Sequence, residues 1–337
     1  MRTVRLEWFD MAARSSAAPG PETRILGAGR SEEGRVRAVN QDSFYIGRIS
    51  GAGYLAVVAD GMGGHRAGEI ASRKAVEVLQ RELERSRLLP PVALARAAQV
   101  ANFEVYDYAV DHPEVHGMGT TLTAVYLDDQ VGLVGHVGDS RAYLIRDGTI
   151  QQLTKDHSWV ADRVRQGLLT ADEARHHRWR NVITNALGAT ASFRLDVLHF
   201  EVKPGDRLLL CSDGVSMLLS EKMMTEIVAS SPPEEATARL VSEANDRGAP
   251  DNVTAVVVQV RQVEARPKRY ALPARAEGPE SVDISDTMSG IRKIEDEYPA
   301  NGPLSKLRKH PWYPYRIWIL GSLYLLLLFL LFSLWRG

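Results

Sequence analysis

Short apolar runs rich in valine, leucine and isoleucine recur through the middle of the sequence, and they limit the fold more than any other feature. Turn-forming residues separate these runs, which lie at residues 54–60, 119–127, 131–139, 141–153, 206–213 and 253–260. Runs of this length and composition are typical of buried strands. Two segments with helical periodicity, 68–84 and 91–111, lie between the first two runs. The pattern predicts an α+β fold in which sheets pack face to face with helices outside.

Residues that favour tight turns join some of the predicted strands. Asp147-Gly148 divides the run at 141–153, which predicts a hairpin, because this dipeptide suits the positive φ angles of a two-residue loop. Asp128-Asp129-Gln130 joins the runs on either side of it in a similar way. Neighbouring antiparallel strands are therefore expected.

The chain divides into four segments of different composition. Residues 24–263 form the predicted compact domain, and residues 1–23 an N-terminal extension that contains the flexible stretch SSAAPGP. Residues 264–314 are rich in proline, serine and charge, so they cannot build a core and are predicted to be a flexible linker.

The fourth segment, residues 315–337, is predicted to be one C-terminal transmembrane helix. It contains an uncharged apolar run of 19 residues at 317–335, which is long enough to span a bilayer. A buried core helix is the alternative, which the lack of a polar face disfavours. Four basic residues between 306 and 316 precede the run and Arg336 follows it. The positive-inside rule then predicts a single-pass membrane protein with its large domain in the cytoplasm.

Composition and missing motifs exclude several classes of function. The formal net charge is -1, so no basic field favours nucleic acid as a partner. A single cysteine, Cys211, rules out an internal disulfide. The Cys-x5-Arg motif of cysteine nucleophiles fails because Met217 stands at its last position. The zinc motif HExxH and the esterase motif GxSxG are absent from the sequence.

Aspartates stand where predicted strands begin or end. Asp60, Asp139 and Asp213 each close an apolar run, whereas Asp251 and Asp42 precede one. Aspartate at a strand end is often only a turn former, but strand ends meet at a sheet edge, where these residues can converge. Converging carboxylates repel one another unless a cation lies among them. Oxygen-only ligands favour Mn²⁺ or Mg²⁺, and two such ions can activate a shared water for in-line attack on phosphorus.

A glycine-rich turn follows one of these aspartates. Gly61, Gly63 and Gly64 come directly after Asp60, and such a turn lets backbone groups approach a metal or a phosphate closely. The turn matches neither the GxxxxGK[ST] nor the GxGxxG pattern, so a nucleotide-binding fold has no support.

Taken together, these segments resemble the metal-dependent protein phosphatases of the PPM (type 2C) family, in their bacterial form. The resemblance implies a central β-sandwich of two antiparallel sheets flanked by α-helices, with metals at one end. It also implies hydrolysis of phosphoserine and phosphothreonine in proteins by water that two Mn²⁺ or Mg²⁺ ions activate. Eight blocks carry it, in the family's order: SEEGRVRAVNQDSF (31–44), VVADGMGGHRAGEIAS (57–72), MGTTLTAVYL (118–127), HVGDSRAYLIRDG (136–148), LTKDHS (153–158), NVITNALGA (181–189), LLLCSDGVS (208–216) and GAPDNVTAVVV (248–258).

The resemblance also assigns metal ligands to individual positions. Asp60 would bridge two metals, with the carbonyl of Gly61 on the first of them. Asp213 and Asp251 would bind the second metal, and Asp42 would hold water bound to the metals.

Further roles follow from the same resemblance. Asp139 would serve a third, weaker metal site of bacterial members. Arg37 matches the family's phosphate-binding arginine, with a surface ion pair as the alternative. Met62 occupies the place of the animal family's general acid, and His65 lies three positions later. His65 is expected either to protonate the leaving alkoxide or to make a local structural hydrogen bond.

The resemblance names partners as well. The family's flap would lie at about residues 161–180, next to the site and able to touch substrate. Predicted partners are phosphorylated proteins, among them, by family analogy, a membrane Ser/Thr kinase and its substrates, which the enzyme would oppose. Two alternatives stay open: a catalytically silent module that binds phosphoproteins, and a phosphatase dedicated to one small regulator.

Overall fold

The computed structural model describes residues 24–49, 53–64, 66–128 and 131–263. The predicted N-terminal extension, linker and C-terminal transmembrane helix lie outside these residues, and so does His65. Within the described ranges, no helix has both the length and the apolar character needed to cross a bilayer.

The first of two sheets places a valine-rich strand among its inner members. Its strands are β1 (Ile25–Glu32), β7 (Arg141–Arg146), β8 (Thr149–Gln152), β10 (Arg207–Cys211) and β11 (Val253–Val260). They pair antiparallel in the order β1-β11-β10-β7-β8. Val256, Val257 and Val258 of β11 are fully buried, because both faces of this sheet are covered.

The second sheet is also antiparallel. Its strands are β2 (Asp42–Arg48), β3 (Tyr54–Met62), β4 (Gly119–Thr120), β5 (Leu122–Asp128), β6 (Val131–Val137) and β9 (Asp196–Glu201). The order is β2-β3-β5-β6-β9, and the short β4 pairs with the end of β3. Every residue of β5 and β6 is buried. Continuous burial explains why these two strands appear in the sequence as unbroken apolar runs.

The two sheets pack face to face, and their inner side chains form one core. Val58 and Val134 of the second sheet belong to this core, together with Leu208, Leu210 and Val256 of the first, and all five are fully buried. Opposed inner faces of this kind define a β-sandwich.

Helices cover the outer face of each sheet. Ala71, Ala75 and Leu79 of the helix over the second sheet are fully buried and recur every fourth residue, as an amphipathic helix requires. Leu240 and Ala244 repeat this spacing over the first sheet. The helices are α1 (Ala67–Arg85), α2 (Pro90–Asp111), α3 (Trp159–Arg165), α4 (Ala171–His176), α5 (Asp213–Ser216), α6 (Glu221–Ser230) and α7 (Pro233–Asp246), with a 3-10 turn at Pro113–Val115.

The hairpin predicted at Asp147-Gly148 is confirmed. This turn joins β7 to β8, with φ angles of 51° at Asp147 and 71° at Gly148. Among the described residues outside glycine, Asp147 is the position with a positive φ, which aspartate tolerates better than most side chains. The second predicted turn includes residues 129–130, which lie outside the described residues.

The predicted sandwich of two antiparallel sheets flanked by helices is confirmed, although several boundaries differ. Asp60 lies inside β3, which continues to Met62 because β4 pairs with its last residues. Asp139 lies beyond the end of β6, and Asp213 begins the short helix α5 instead of closing β10. Strands β1 and β9 were not predicted, because most of their residues are only half buried and form no continuous apolar run.

Candidate metal centre

The antiparallel pairing of β2 and β3 sets two carboxylates side by side. Asp42 and Asp60 are direct cross-strand partners in this pair. Like charges at such positions repel, so the sheet alone would disfavour this arrangement. The second sheet therefore brings the first two predicted ligands together at one end of the sandwich.

Hydroxyl groups from the opposite sheet hold Asp42 in place. Its Oδ2 atom accepts hydrogen bonds from Ser212 Oγ at 2.8 Å and from Thr254 Oγ1 at 2.6 Å. Ser212 follows β10 and Thr254 lies in β11, so both donors belong to the first sheet. Asp42 thus links the two sheets at the end where the predicted ligands gather.

Thr121 connects Asp60 with the turn that carries Asp139. The backbone N–H of Asp60 donates to Thr121 Oγ1 at 2.8 Å. The same hydroxyl lies 2.8 Å from Ser140 Oγ, in the residue that follows Asp139. A single buried threonine therefore fixes the separation of these two segments.

The remaining two aspartates meet where α5 begins beside the loop before β11. A Cβ added to Gly214 would lie 2.0 Å from the carbonyl oxygen of Asn252, so the residues after Asp213 and Asp251 are in close contact. Asn252 Oδ1 also accepts from the backbone N–H of Gln41 at 2.9 Å. This asparagine joins the Asp251 loop to the residue before Asp42.

Arg37 lies at the mouth of this cluster. Its Nη2 atom donates to Asp251 Oδ2 at 2.8 Å. The Arg37 side chain is 51% exposed and that of Asp251 is 32% exposed, so this ion pair faces solvent. An exposed guanidinium next to buried carboxylates can reach a group that approaches from outside.

Gly61 is required by packing. A Cβ at this position would lie 2.0 Å from the Gly68 carbonyl oxygen and 2.7 Å from that of Gln41. Both obstacles are backbone atoms that cannot move aside. The glycine keeps the end of β3 close against α1 and against the residue that precedes Asp42.

Burial and mutual repulsion dominate the electrostatics of the cluster. Burial, followed by the charges of Asp42, Asp213, Asp139 and Asp251, raises the pKa of Asp60 well above its ordinary value. Burial is also the first cause that raises the pKa of Asp42 to about 7 and that of Asp213 to about 6. The pKa of Asp139 is raised well above its usual range by burial and then by Asp213. A cation among these groups would remove this repulsion.

Several carboxylate oxygens of the cluster have no hydrogen-bond partner, which bears on whether a divalent ion fits among them. Asp42 Oδ1, Asp139 Oδ1 and Asp213 Oδ1 are buried and accept no hydrogen bond. A buried carboxylate oxygen without a donor is costly unless a cation approaches it. The donor set consists of carboxylates and carbonyls, which suits Mn²⁺ or Mg²⁺.

In the part of the chain that the structure describes, no three acidic, histidine or cysteine side chains are already grouped as ligands of a single ion. Mg²⁺ commonly uses one or two carboxylates and keeps several waters.

The predicted aspartates, Gly61 and Arg37 lie at one end of the sandwich. Strand pairing, hydrogen bonds and close packing connect some of them directly, and the others are near enough for their charges to repel one another. His65 lies outside the described residues. The sequence prediction gave no role to the polar residues that position the carboxylates, although all of them lie within the recognised blocks: Thr121, Ser212, Asn252 and Thr254.

The fold and this site define a class of protein: an α+β sandwich with a carboxylate centre at one end. The model of the family described as protein phosphatase 2C matches residues 28–253. The chain belongs to the protein phosphatase 2C family.

Relatives and solved structures agree with this assignment. A serine/threonine phosphatase, stp, of Listeria innocua is 34% identical over 236 residues, which are 68% of this chain and 94% of the relative. The serine/threonine protein phosphatase PstP of Mycobacterium tuberculosis is 40% identical over 238 residues, 69% of this chain but 44% of that protein. The crystal structure of the PstP catalytic domain with two manganese ions matches with a TM-score of 0.64 and 36% identity, covering 71% of this chain and 99% of that one. The prediction that this chain is a protein serine/threonine phosphatase is confirmed.

Without divalent cations, the free energy of unfolding is expected to fall as pH rises between about 4 and about 7. In the folded state the pKa of Asp42 is about 7 and that of Asp213 about 6, both above the ordinary 3.8. The folded protein therefore keeps protons that the unfolded chain has lost, and stability is lost as pH rises through this window. Urea denaturation in EDTA at pH 5 and pH 8 should show a loss on the order of a few kcal/mol.

Two variants separate the cluster from general charge effects. Asp60→Asn removes one of the repelling groups and should make the pH dependence shallower. Asp107→Asn removes the same charge from an exposed position on α2 and should leave the dependence unchanged. A stability that rises over this pH range in the wild-type protein would contradict the electrostatic account.

Proposed function

We propose that this chain hydrolyses phosphoserine and phosphothreonine in proteins with the help of two Mn²⁺ or Mg²⁺ ions. The observation that supports this most directly is the set of buried carboxylate oxygens without hydrogen-bond donors, on Asp42, Asp139 and Asp213. The ions would neutralise the cluster and lower the pKa of a water that attacks phosphorus in line.

The aspartates would divide the metal-binding work. Asp60 would bind both ions and the Gly61 carbonyl the first of them, as the resemblance implies, and the ions would offset the repulsion that the other four aspartates exert on Asp60. Asp213 and Asp251 would bind the second ion. Asp42, held on one oxygen by two hydroxyl groups, would orient water with its other oxygen. Asp139 would bind a third ion more weakly.

Arg37 would bind the phosphoryl group of the substrate. Its contact with Asp251 uses Nη2. A guanidinium has five N–H donors, so others stay available to phosphate oxygens. The half-exposed position of Arg37 suits a group that must meet a protein substrate. The leaving alkoxide would take its proton from His65 or from solvent.

The flap would contact the protein part of the substrate. The flap predicted at about residues 161–180 includes most of α3 and all of α4, and just outside it Ile183 bridges back to Ser158. Arg175, Arg178 and Arg180 are exposed on it, and the guanidinium of Arg178 lies 4.6 Å from the ring centroid of Trp179. Exposed arginines beside an aromatic ring favour acidic segments, including those that carry phosphate.

Loss of either central carboxylate should remove most of the activity. Asp60→Asn and Asp213→Asn are each expected to lower kcat by about a hundredfold or more on p-nitrophenyl phosphate and on a phosphothreonine peptide with Mn²⁺, because ligand loss disturbs the ions that activate water. Asp107→Asn serves as the control of equal charge. Turnover like that of the wild-type protein in either ligand variant would refute the two-metal proposal.

Removal of the arginine should act mainly on substrate binding. Arg37→Ala is expected to raise KM by about ten- to a hundredfold, the range for a lost hydrogen bond to a charged group, with a smaller change in kcat. Arg30→Ala, which removes an exposed arginine paired with Glu32, is the control. A loss confined to kcat would argue against phosphate docking by Arg37.

We further propose that the catalytic domain works at the cytoplasmic face of a membrane, where it opposes a Ser/Thr kinase. The support comes from the sequence, in the uncharged run at 317–335 and the basic residues before it. A tether of this kind raises the effective concentration of the domain near membrane proteins, within reach of the linker. Phosphorylated proteins at that surface, a membrane kinase among them, would be its substrates.

A truncation tests the tether. Deletion of residues 315–337 should release an active enzyme into the soluble fraction, because the run that would enter the bilayer is gone. Deletion of residues 268–290, of equal length, should leave the protein with the membranes. Fractionation followed by phosphatase assay measures both. If the first truncation stays with membranes, the proposed span is wrong.

A further inference from the structure

Two of the recognised segments, 136–148 and 153–158, contact each other at several points. Residues 153–158 follow β8, and residues 136–142 contain the turn with Asp139. The Leu153 N–H donates to the Ala142 carbonyl at 2.8 Å, and Arg141 holds Asp156 through Nε at 3.0 Å and Nη2 at 2.7 Å. Residues 153–158 supply none of the proposed metal ligands, so their contacts with the segment that contains Asp139 need another explanation.

His157 makes the contacts nearest to Asp139. The backbone N–H of His157 donates to the Gly138 carbonyl at 2.7 Å. The backbone N–H of Gly138 donates in return to the ring nitrogen Nδ1 of His157 at 3.1 Å. Its other ring nitrogen, Nε2, lies 3.0 Å from Asp196 Oδ2. The side chain is 1% exposed, so solvent supplies neither a donor nor an acceptor.

The hydrogen bonds fix the proton on this ring. A backbone N–H can only donate, so Nδ1 must accept from Gly138 and carry no proton. The proton is therefore on Nε2, from which it is donated to Asp196. The Asn185 amide, 2.9 Å from Nδ1, also donates to this nitrogen. The Asp196 carboxylate thus selects the tautomer that holds Gly138.

The Gly138 turn is held on its other side by Thr121. Gly138 has a φ angle of 103°, and a Cβ there would lie 2.6 Å from Thr121 Cγ2. Between Thr121 and His157 the turn has little freedom. Asp139, the next residue, has a buried carboxylate oxygen without a hydrogen-bond donor. The position of that oxygen depends on the backbone that these two residues hold.

His157 also closes the base of the flap. The Thr184 N–H donates to the His157 carbonyl at 2.8 Å, and the Trp159 N–H donates to the Val182 carbonyl at 2.8 Å. Asn185, which meets the ring, follows directly. The two ends of the flap therefore meet beside His157, the residue that is hydrogen-bonded to the Gly138 turn.

We propose that His157 is a positioning residue that ties the base of the flap to the Gly138–Asp139 turn and sets the Asp139 carboxylate for a metal ion. This inference rests on the proposed metal role of Asp139. His157 touches neither the substrate nor the reacting atoms. A histidine that served only to stabilise the core would have no such effect on metal binding.

Two substitutions separate the two ring contacts. His157→Asn places an amide oxygen near the position of Nδ1 and keeps an acceptor for Gly138, while it loses the contact with Asp196. His157→Gln places its amide near the position of Nε2 and keeps a donor for Asp196, while it loses the acceptor for Gly138. Asn102→Leu is the control, since Asn102 is 1% exposed and its hydrogen bonds within the described part of the chain go to Gly188, Thr190 and Ala191, not to the Gly138 turn.

Calorimetric titration with Mn²⁺ and hydrogen exchange at the Gly138 amide are the readouts, at a temperature where every variant is folded. His157→Gln should weaken the weakest Mn²⁺ site by about tenfold or more, the range for a lost outer contact, and should speed exchange at Gly138. His157→Asn and Asn102→Leu should stay within about threefold of the wild-type affinity, although both lose stability.

Each outcome decides for or against the proposal. Equal affinities and equal exchange in the Gln and Asn variants would overturn it, and so would an equal weakening by Asn102→Leu. If the wild-type protein binds no Mn²⁺, the proposed metal function fails, and exchange at Gly138 alone then decides whether His157 holds the turn. If the Gln variant does not fold, Asp196→Ala, which frees the tautomer, should speed exchange at Gly138, and unchanged exchange there would count against the proposal.

Discussion

Repulsion among buried carboxylates is the constraint on which the rest of this structure depends. Burial and the neighbouring acids together raise the pKa of Asp60 well above its ordinary value, and cross-strand pairing forces Asp42 beside it. The fold offsets part of this cost with hydroxyl donors from the opposite sheet and part with the exposed guanidinium of Arg37. Several carboxylate oxygens still lack donors. A protein keeps such an arrangement when a cation completes it.

The sequence was enough to predict the residues that carry charge, because their chemistry is visible in the residue type. Asp42, Asp60, Asp139, Asp213 and Asp251 were recognised from their places beside apolar runs, and the structure associates them. The hairpin at Asp147-Gly148 was equally accessible, since a two-residue loop depends on local φ angles. Local patterns of this kind give both the sandwich class and the candidate ligands.

The supporting contacts could not be predicted, because they join distant parts of the chain. Ser212 meets Asp42 across 170 positions and Thr254 meets it across 212. Nothing within one segment indicates such a partner. Strand β9 was missed for a related reason: most of its residues are only half buried, so it lacks the apolar run that marks β5 and β6. Its pairing with β6 becomes visible only when the second sheet is assembled.

The hydroxyl bonds to Asp42 have a consequence for biosynthesis. Thr254 lies in β11, the last described strand, and β11 also pairs with β1, the first. During synthesis, three things are missing until β11 has left the ribosome. They are Asp251, the hydroxyl of Thr254 that donates to Asp42, and the strand β11 that pairs with β1. Contacts between such remote positions form late in folding. The end of the sandwich that holds Asp42 is therefore completed only when almost the whole domain has been synthesised, and fragments that stop short of β11 lack the strand that joins β1 to β10.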